Sequence, residues 1–135
     1  MNANLVARKK IEVALENLKR ALVGLKEGCS KITISNLELS GTIQHFEFCY
    51  ELSWKLLQKR AAIDGRMIAS PREAFRYGFE RGYIENDKAW AEMINDRNET
   101  VHTYDAMTAQ KIYDQVKGVY LGEFEKLILS FTILG

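Results

Sequence analysis

The ten residues DRNETVHTYD (96–105) gather Asp96, Arg97, Asn98, Glu99, His102, Tyr104 and Asp105, with Val101 the one apolar residue among them. An arginine grips a phosphate through a fork of N–H donors. A neutral histidine can serve as general base near pH 7. On an ideal helix Asn98 and His102 are i, i+4 neighbours, so the amide can fix the imidazole's orientation. Arg97, Asn98 and His102 are therefore candidate catalytic residues for metal-free cleavage of RNA by its own 2′-hydroxyl, with Asp96 as a supporting polar group. The same composition also describes caps and surface ion pairs at a helix junction, and pattern alone does not separate the two. The reaction wants an acid as well as a base. The only other histidine, His45, lies beside Ile43 and Phe46 and reads as a boundary residue. A two-fold dimer would bring two copies of the Arg97–His102 pair together.

Arg97 and His102 are five residues apart, about 140° around a helix. They converge only if the helix ends or bends between them. Thr100, Val101 and Thr103 are mediocre helix formers, which puts an end near His102. Asp105 is then the N-cap of the next helix. Two further carboxylates, Glu47 and Glu51, are i, i+4 neighbours flanked by aromatics. They read either as a buried acidic pair or as half-exposed helix-surface residues, the second reading supported by Lys55 four residues after Glu51.

The elements that must position these groups are helical. Ile11, Leu15, Leu18, Leu22 and Leu25 form one stripe, which stops around Gly24 to Gly28. KITIS (31–35) alternates like a strand but has no partner and reads as a connector. A second helix runs from after Asn36 to about Ile63, with Phe46, Tyr50, Trp54 and Leu57 on one side and Phe48, Leu52 and Leu56 on another. Such a helix is central or is covered by a second subunit. In the third, Ser70 is an N-cap, Pro71 suits the first turn, Glu73 can close a capping box and Gly82 can make the left-handed exit. A fourth begins near Asp87 and carries Ala89, Trp90, Met93 and Ile94. The last starts near Ala106 and carries Ala109, Ile112, Val116, Val119 or Tyr120, Phe124, Leu127 and Phe131. The expectation is an all-α, antiparallel up-and-down bundle of four to five helices, residues 1–135 forming one domain.

The bulk numbers narrow the partners. A net charge of +1 provides no global field toward nucleic acid or an anionic membrane, so any such contact must be local. The N-terminus lacks the apolar run of a signal peptide. The most apolar segment, Leu127 to Leu134, is far short of the roughly 20 residues that span a bilayer. Cys29 and Cys49 have no metal-type spacing and form no disulfide framework, which fits reduced thiols in a cytoplasmic protein with no cofactor. There is no glycine-rich phosphate loop.

Three stretches in order, FEFCYELSWKLL (46–57), SPREAFRYGFERGYI (70–84) and WAEMINDRNETVHTYD (90–105), resemble the HEPN superfamily. Specifically they are similar to the substrate-binding proteins that accompany minimal nucleotidyltransferases in bacteria and archaea, over roughly residues 40 to 130. The resemblance implies a helical bundle that dimerises and docks a separate minimal nucleotidyltransferase in a toxin–antitoxin-like module. It also implies an alternative role as a metal-independent ribonuclease toxin, with Arg97 and His102 catalytic and Tyr104 the acceptor of AMP that silences it.

Overall fold

A computed structural model describes residues 2–135. Its elements are α1 (Ala3–Cys29), α2 (Asn36–Ile63), α3 (Pro71–Glu80), α4 (Asp87–Glu99), a 3₁₀ turn (Thr100–His102), α5 (Ala106–Gln115), a π-helical segment (Val116–Tyr120) and α6 (Leu121–Leu134). The described residues contain no strand. The 30–35 connector is irregular, as its lack of a pairing partner implies.

Local chemistry sets the helix ends. Asn2, Ser35, Ser70, Asn86 and Asp105 each accept a backbone N–H from the first turn of the helix that follows. At Ser35 the box is complete, because Glu38 Oε1 accepts the Ser35 N–H at 3.0 Å while Ser35 Oγ accepts the Glu38 N–H at 3.1 Å. At Ser70 the return bond slips one residue: Glu73 Oε2 accepts from Ala69 N–H, not Ser70 N–H. Gly82, at φ +83°, turns the chain out of α3.

The first apolar stripe runs on past Gly24 and Gly28 to Cys29, so these glycines do not end the helix. They let α1 and α2 cross closely. A Cβ on Gly28 would collide with the Thr42 side chain, and one on Gly24 with the His45 ring. The pairings Gly24–His45 and Gly28–Thr42 also fix the two helices as antiparallel. His45 thus fills the α1–α2 seam, edge-on to Phe48 at 5.7 Å between ring centroids.

α2 is the central helix. It touches α1, α3, α5 and α6. Leu56 and Leu57, on its two apolar sides, are both fully buried within the chain, whereas Phe48 stays exposed. Phe46 stacks on Tyr120 at 5.5 Å, and Trp90 meets Phe75 at 4.8 Å and Phe124 at 5.7 Å. These rings tie α2, α3, α4 and the C-terminal helix into one core whose burial is the main stabilising term.

The π segment has a cause in residue spacing. Ile112, Val116, Tyr120 and Phe124 are all buried and lie four apart. Each four-residue step over-rotates an α-helix by about 40°. The wider π turn absorbs that drift and keeps all four on the core face.

Candidate functional site

The α4–α5 junction holds the polar stretch, and the structure divides it into an inner and an outer half. Inside, Asp96 is buried and its carboxylate accepts a short hydrogen bond from the Tyr120 hydroxyl, to which Gln115 Nε2 also donates at 3.4 Å. Burial, with the adjacent Asp96, pushes the Tyr120 phenol well above its ordinary value, so it remains a donor. Tyr120 occupies the last position of the π segment, so that segment's phase aims its hydroxyl at Asp96.

Arg97, one residue on, turns toward α2. Its Nη1 lies 3.0 Å from Glu47 Oε2 and donates to Thr100 Oγ1 at 2.8 Å. Thr100 Oγ1 also lies 3.2 Å from Glu47 Oε2 and 2.7 Å from the Arg97 carbonyl. Arg97 Nε is buried with no hydrogen-bond partner. The guanidinium is half-buried, and its charge is answered through Nη1 by the Glu47 carboxylate. Glu47 is thereby separated from Glu51, which instead accepts from Trp54 Nε1 at 3.0 Å and lies 4.0 Å from Lys55 Nζ. The two acids do not form a buried pair.

Tyr50, on α2, reports what else is near. Burial pushes its phenol up to about 12 and Glu51 adds to that, while Arg97 and Arg72 both pull it down. Two guanidiniums from different helices therefore sit within electrostatic reach of one hydroxyl.

The outer half faces solvent. α4 ends at Glu99 and the 3₁₀ turn carries the chain through His102, as the weak helix formers imply. His102 and Tyr104 are exposed, Tyr104 at 85%. The His102 Nδ1 and Tyr104 Oη atoms are 3.2 Å apart, with the rings edge to face. The imidazole is therefore oriented by Tyr104, while Asn98 points from the last turn of α4 as an exposed residue. Asp105 takes no part in that pair. It caps α5 by accepting from Met107 N–H at 3.2 Å and Thr108 Oγ1 at 3.0 Å. The partners of Asp96 and Arg97, namely Tyr120, Thr100 and Glu47, were not singled out as a set by sequence. Only Glu47 carried a signal, as an acid among aromatics.

Four helices and a long C-terminal one, made of α5, the π segment and α6, form an all-α bundle of a known class. Residues 13–132 match the family described as nucleotidyltransferase substrate binding protein like, and the chain belongs to that family. It is 36% identical over 87 residues to a probable ribonuclease HepT from Haemophilus influenzae, a match covering 58% of this chain. The chain spans 57% of the length of that curated relative. A Thermus thermophilus protein of solved structure is 32% identical, with a TM-score of 0.76, 82% of this chain and 95% of that one being covered. A Haemophilus influenzae structure, described as revealing the fold of a substrate binding domain of a nucleotidyltransferase, is 26% identical with a TM-score of 0.66, covering 92% and 98%. The fold is also that of a chain from a mutant MntA–HepT toxin–antitoxin complex, at 17% identity, TM-score 0.77 and coverage of 91% and 97%. No helix among the described residues is long and apolar enough to cross a membrane.

Proposed function

We propose that this chain is the substrate-binding subunit of a two-component pair, docking a separate minimal nucleotidyltransferase and offering it the Tyr104 hydroxyl as an acceptor of AMP. The observation that carries the reading is the exposure of Tyr104 with its oxygen 3.2 Å from His102 Nδ1. A phenol that attacks the α-phosphorus of ATP must shed its proton as the new O–P bond forms and pyrophosphate leaves. An unprotonated imidazole nitrogen at that distance is within reach to take it. The family membership and the description of the Haemophilus structure support the partner's class. Incubation with a cognate nucleotidyltransferase, ATP and magnesium should add one or more AMP units to the intact mass, and Tyr104→Phe should remove the gain. No gain, or the same gain in Tyr104→Phe, overturns the assignment.

A second reading, metal-independent cleavage of RNA by Arg97 and His102, is favoured by a partly exposed guanidinium and a solvent-facing histidine in one helix junction. AMP on Tyr104 would then place a phosphate in competition with RNA for Arg97. The missing general acid would come from a second copy, for which exposed Phe48, Leu129 and Ile133 offer apolar surface. Free protein in EDTA should leave 2′,3′-cyclic phosphate ends. Arg97→Ala and His102→Ala should each lower the rate by a factor of ~10² to 10⁴. Equal cutting by wild type and His102→Ala would assign the activity to a contaminant.

A further inference from the structure

The stretch SPREAFRYGFE has so far served only as a helix with well-marked ends, yet its solvent face is chemically specific. Arg72, Arg76 and Phe79 follow one another at i, i+4 and i+7, and all three are exposed. Neither arginine forms an ion pair among the described residues, in contrast to Arg60, Arg66, Arg81 and Arg97. They line a groove between α3 and α4, of about 290 Å³, whose α4 wall is Asp87, Ala91 and Ile94.

The direction of this groove matters. α3 and α4 form a hairpin, and Phe75 packs on Trp90. An antiparallel pair in that register sets Phe79 level with the start of α4 and Arg72 level with its later turns. On α4, positions 87, 91, 94 and 98 make one continuous helical stripe, so the groove floor leads on to exposed Asn98 beside Arg97. The result is a pair of guanidiniums, Arg76 and Arg72, rising along α3 toward the Asn98 end of α4, with an aromatic face at the far end. From 87 to 98 the path is about 16 Å long at 1.5 Å per residue, more than a single phosphate needs.

We propose that the α3–α4 groove binds a single-stranded RNA, with Arg72 and Arg76 on successive phosphates and Phe79 stacking a base, and so delivers the strand to Arg97 and His102. Open grooves that combine backbone-tracking cations with an exposed ring suit single strands, whose bases are free to stack. Asp87, at the Phe79 end, opposes phosphate there and confines the cationic part of the track to the end near Arg97. This inference rests on the second reading of Arg97, as a phosphate-binding residue.

The test is anisotropy of a fluorescein-labelled oligouridylate decamer across a salt series, with His102→Ala in every variant to prevent cutting. Arg72→Gln/Arg76→Gln should weaken binding at least tenfold at low salt. It should also lower the log–log salt slope by about 1.4, or ~0.7 for each of two phosphates. Arg72→Lys/Arg76→Lys should keep the slope. Phe79→Ala should cost about fivefold with the slope unchanged, the low end of the stacking range. Lys9→Gln/Arg20→Gln, an equal charge change on α1, should bind as the parent does. Arg97→Ala separates the two ideas. If Arg97→Ala weakens binding while the α3 pair matches the α1 control, the groove is overturned and the Arg97 reading stands. If the α3 pair weakens it and Arg97→Ala does not, the groove stands as a separate RNA site and delivery to Arg97 is overturned. If the parent binds no oligonucleotide, or every variant binds equally, both fall.

Discussion

Two knots of carboxylates, guanidiniums and phenols sit at helix junctions of this chain, built from the same residue types. At the α2–α3 junction, Asp64 Oδ2 accepts from the Tyr77 hydroxyl at 2.6 Å and lies 3.3 Å from Arg81, and Oδ1 accepts from Arg60 at 3.1 Å. Arg66 and Arg81 lie over the Tyr77 ring, and Arg60 Nε donates to the Tyr83 hydroxyl at 2.9 Å. Each of those groups is answered from inside the chain. At the α4–α5 junction the answers stop halfway: Asp96 has Tyr120 and Arg97 has Glu47, but His102 and Tyr104 have only each other and solvent. Polar residue density does not distinguish a structural knot from a working site. What distinguishes them is whether the hydroxyl that ends the chain of bonds is buried, as in Tyr77, or exposed, as in Tyr104.

The comparison is broken most severely at the place where the second junction behaves like the first. Tyr120 is the one side-chain donor that reaches the Asp96 carboxylate among the described residues. Tyr120→Phe leaves a buried carboxylate without it, at a cost of about 3 kcal/mol. The urea midpoint should fall accordingly. Because Asp96 precedes Arg97, AMP acceptance and RNA affinity should fall as well. A variant that loses stability and keeps both functions would separate the inner half from the site.

Tyr77→Phe should act on stability alone. Asp64 keeps Arg60 and Arg81, so the cost is nearer ~1–2 kcal/mol, and AMP acceptance at Tyr104 should not change. The pH dependence sharpens this. The Tyr77 hydroxyl, helped by Arg60 and Arg81 against slight desolvation, holds the Asp64 carboxyl below its usual value. A depressed carboxyl contributes stability above its unfolded value of about 3.9 and loses it as pH falls through the lower folded value. The gap in urea midpoint between wild type and Asp64→Asn should therefore be constant from pH 7 to 5 and close in more acid solution. A gap that closes near pH 7 instead would mean another group carries the dependence.

How much of this was legible in sequence follows the range of the forces involved. Ser70, Pro71, Gly82 and Asp105 announced helix ends correctly because caps involve neighbours within a turn. The box at Ser35 and Glu38 carries the same signal, masked by the strand-like KITIS alternation that runs into it. The ambiguity between Val119 and Tyr120 as core positions was the trace of the π segment, whose four-residue spacing no uniform α-helix fits. Of the site, the 96–105 stretch and its helix break were readable. The pairings Arg97–Glu47 and Asp96–Tyr120 were not, because they join residues from helices whose mutual rotation only the packed core determines. The expected Asn98 contact to His102 gave way to Tyr104 because the 3₁₀ turn ends the i, i+4 geometry before His102.

The smallest effect is expected at Asp105, which lies in the working junction but belongs by its bonds to the structural kind. Its carboxylate caps α5 through Met107 N–H and Thr108 Oγ1, while its backbone N–H donates to the His102 carbonyl at 3.0 Å. Replacing the side chain removes the cap and leaves the backbone bond that closes the turn. Asp105→Ala should therefore lower stability by about 1 kcal/mol. Asp105→Asn keeps a cap oxygen and loses only the charge at the helix N-terminus, so it should cost about 0.5 kcal/mol or less. In both variants the rate of AMP addition to Tyr104 should stay within about twofold of wild type, since a cap deletion that leaves the turn closed moves no group of the His102–Tyr104 pair. Intact-mass time courses beside urea titrations measure the two quantities on the same samples. A large loss of AMP addition in Asp105→Ala, restored in Asp105→Asn, would show that the cap itself holds Tyr104 in place. The boundary between the two kinds of junction would then have to be drawn after Asp105 instead of before it.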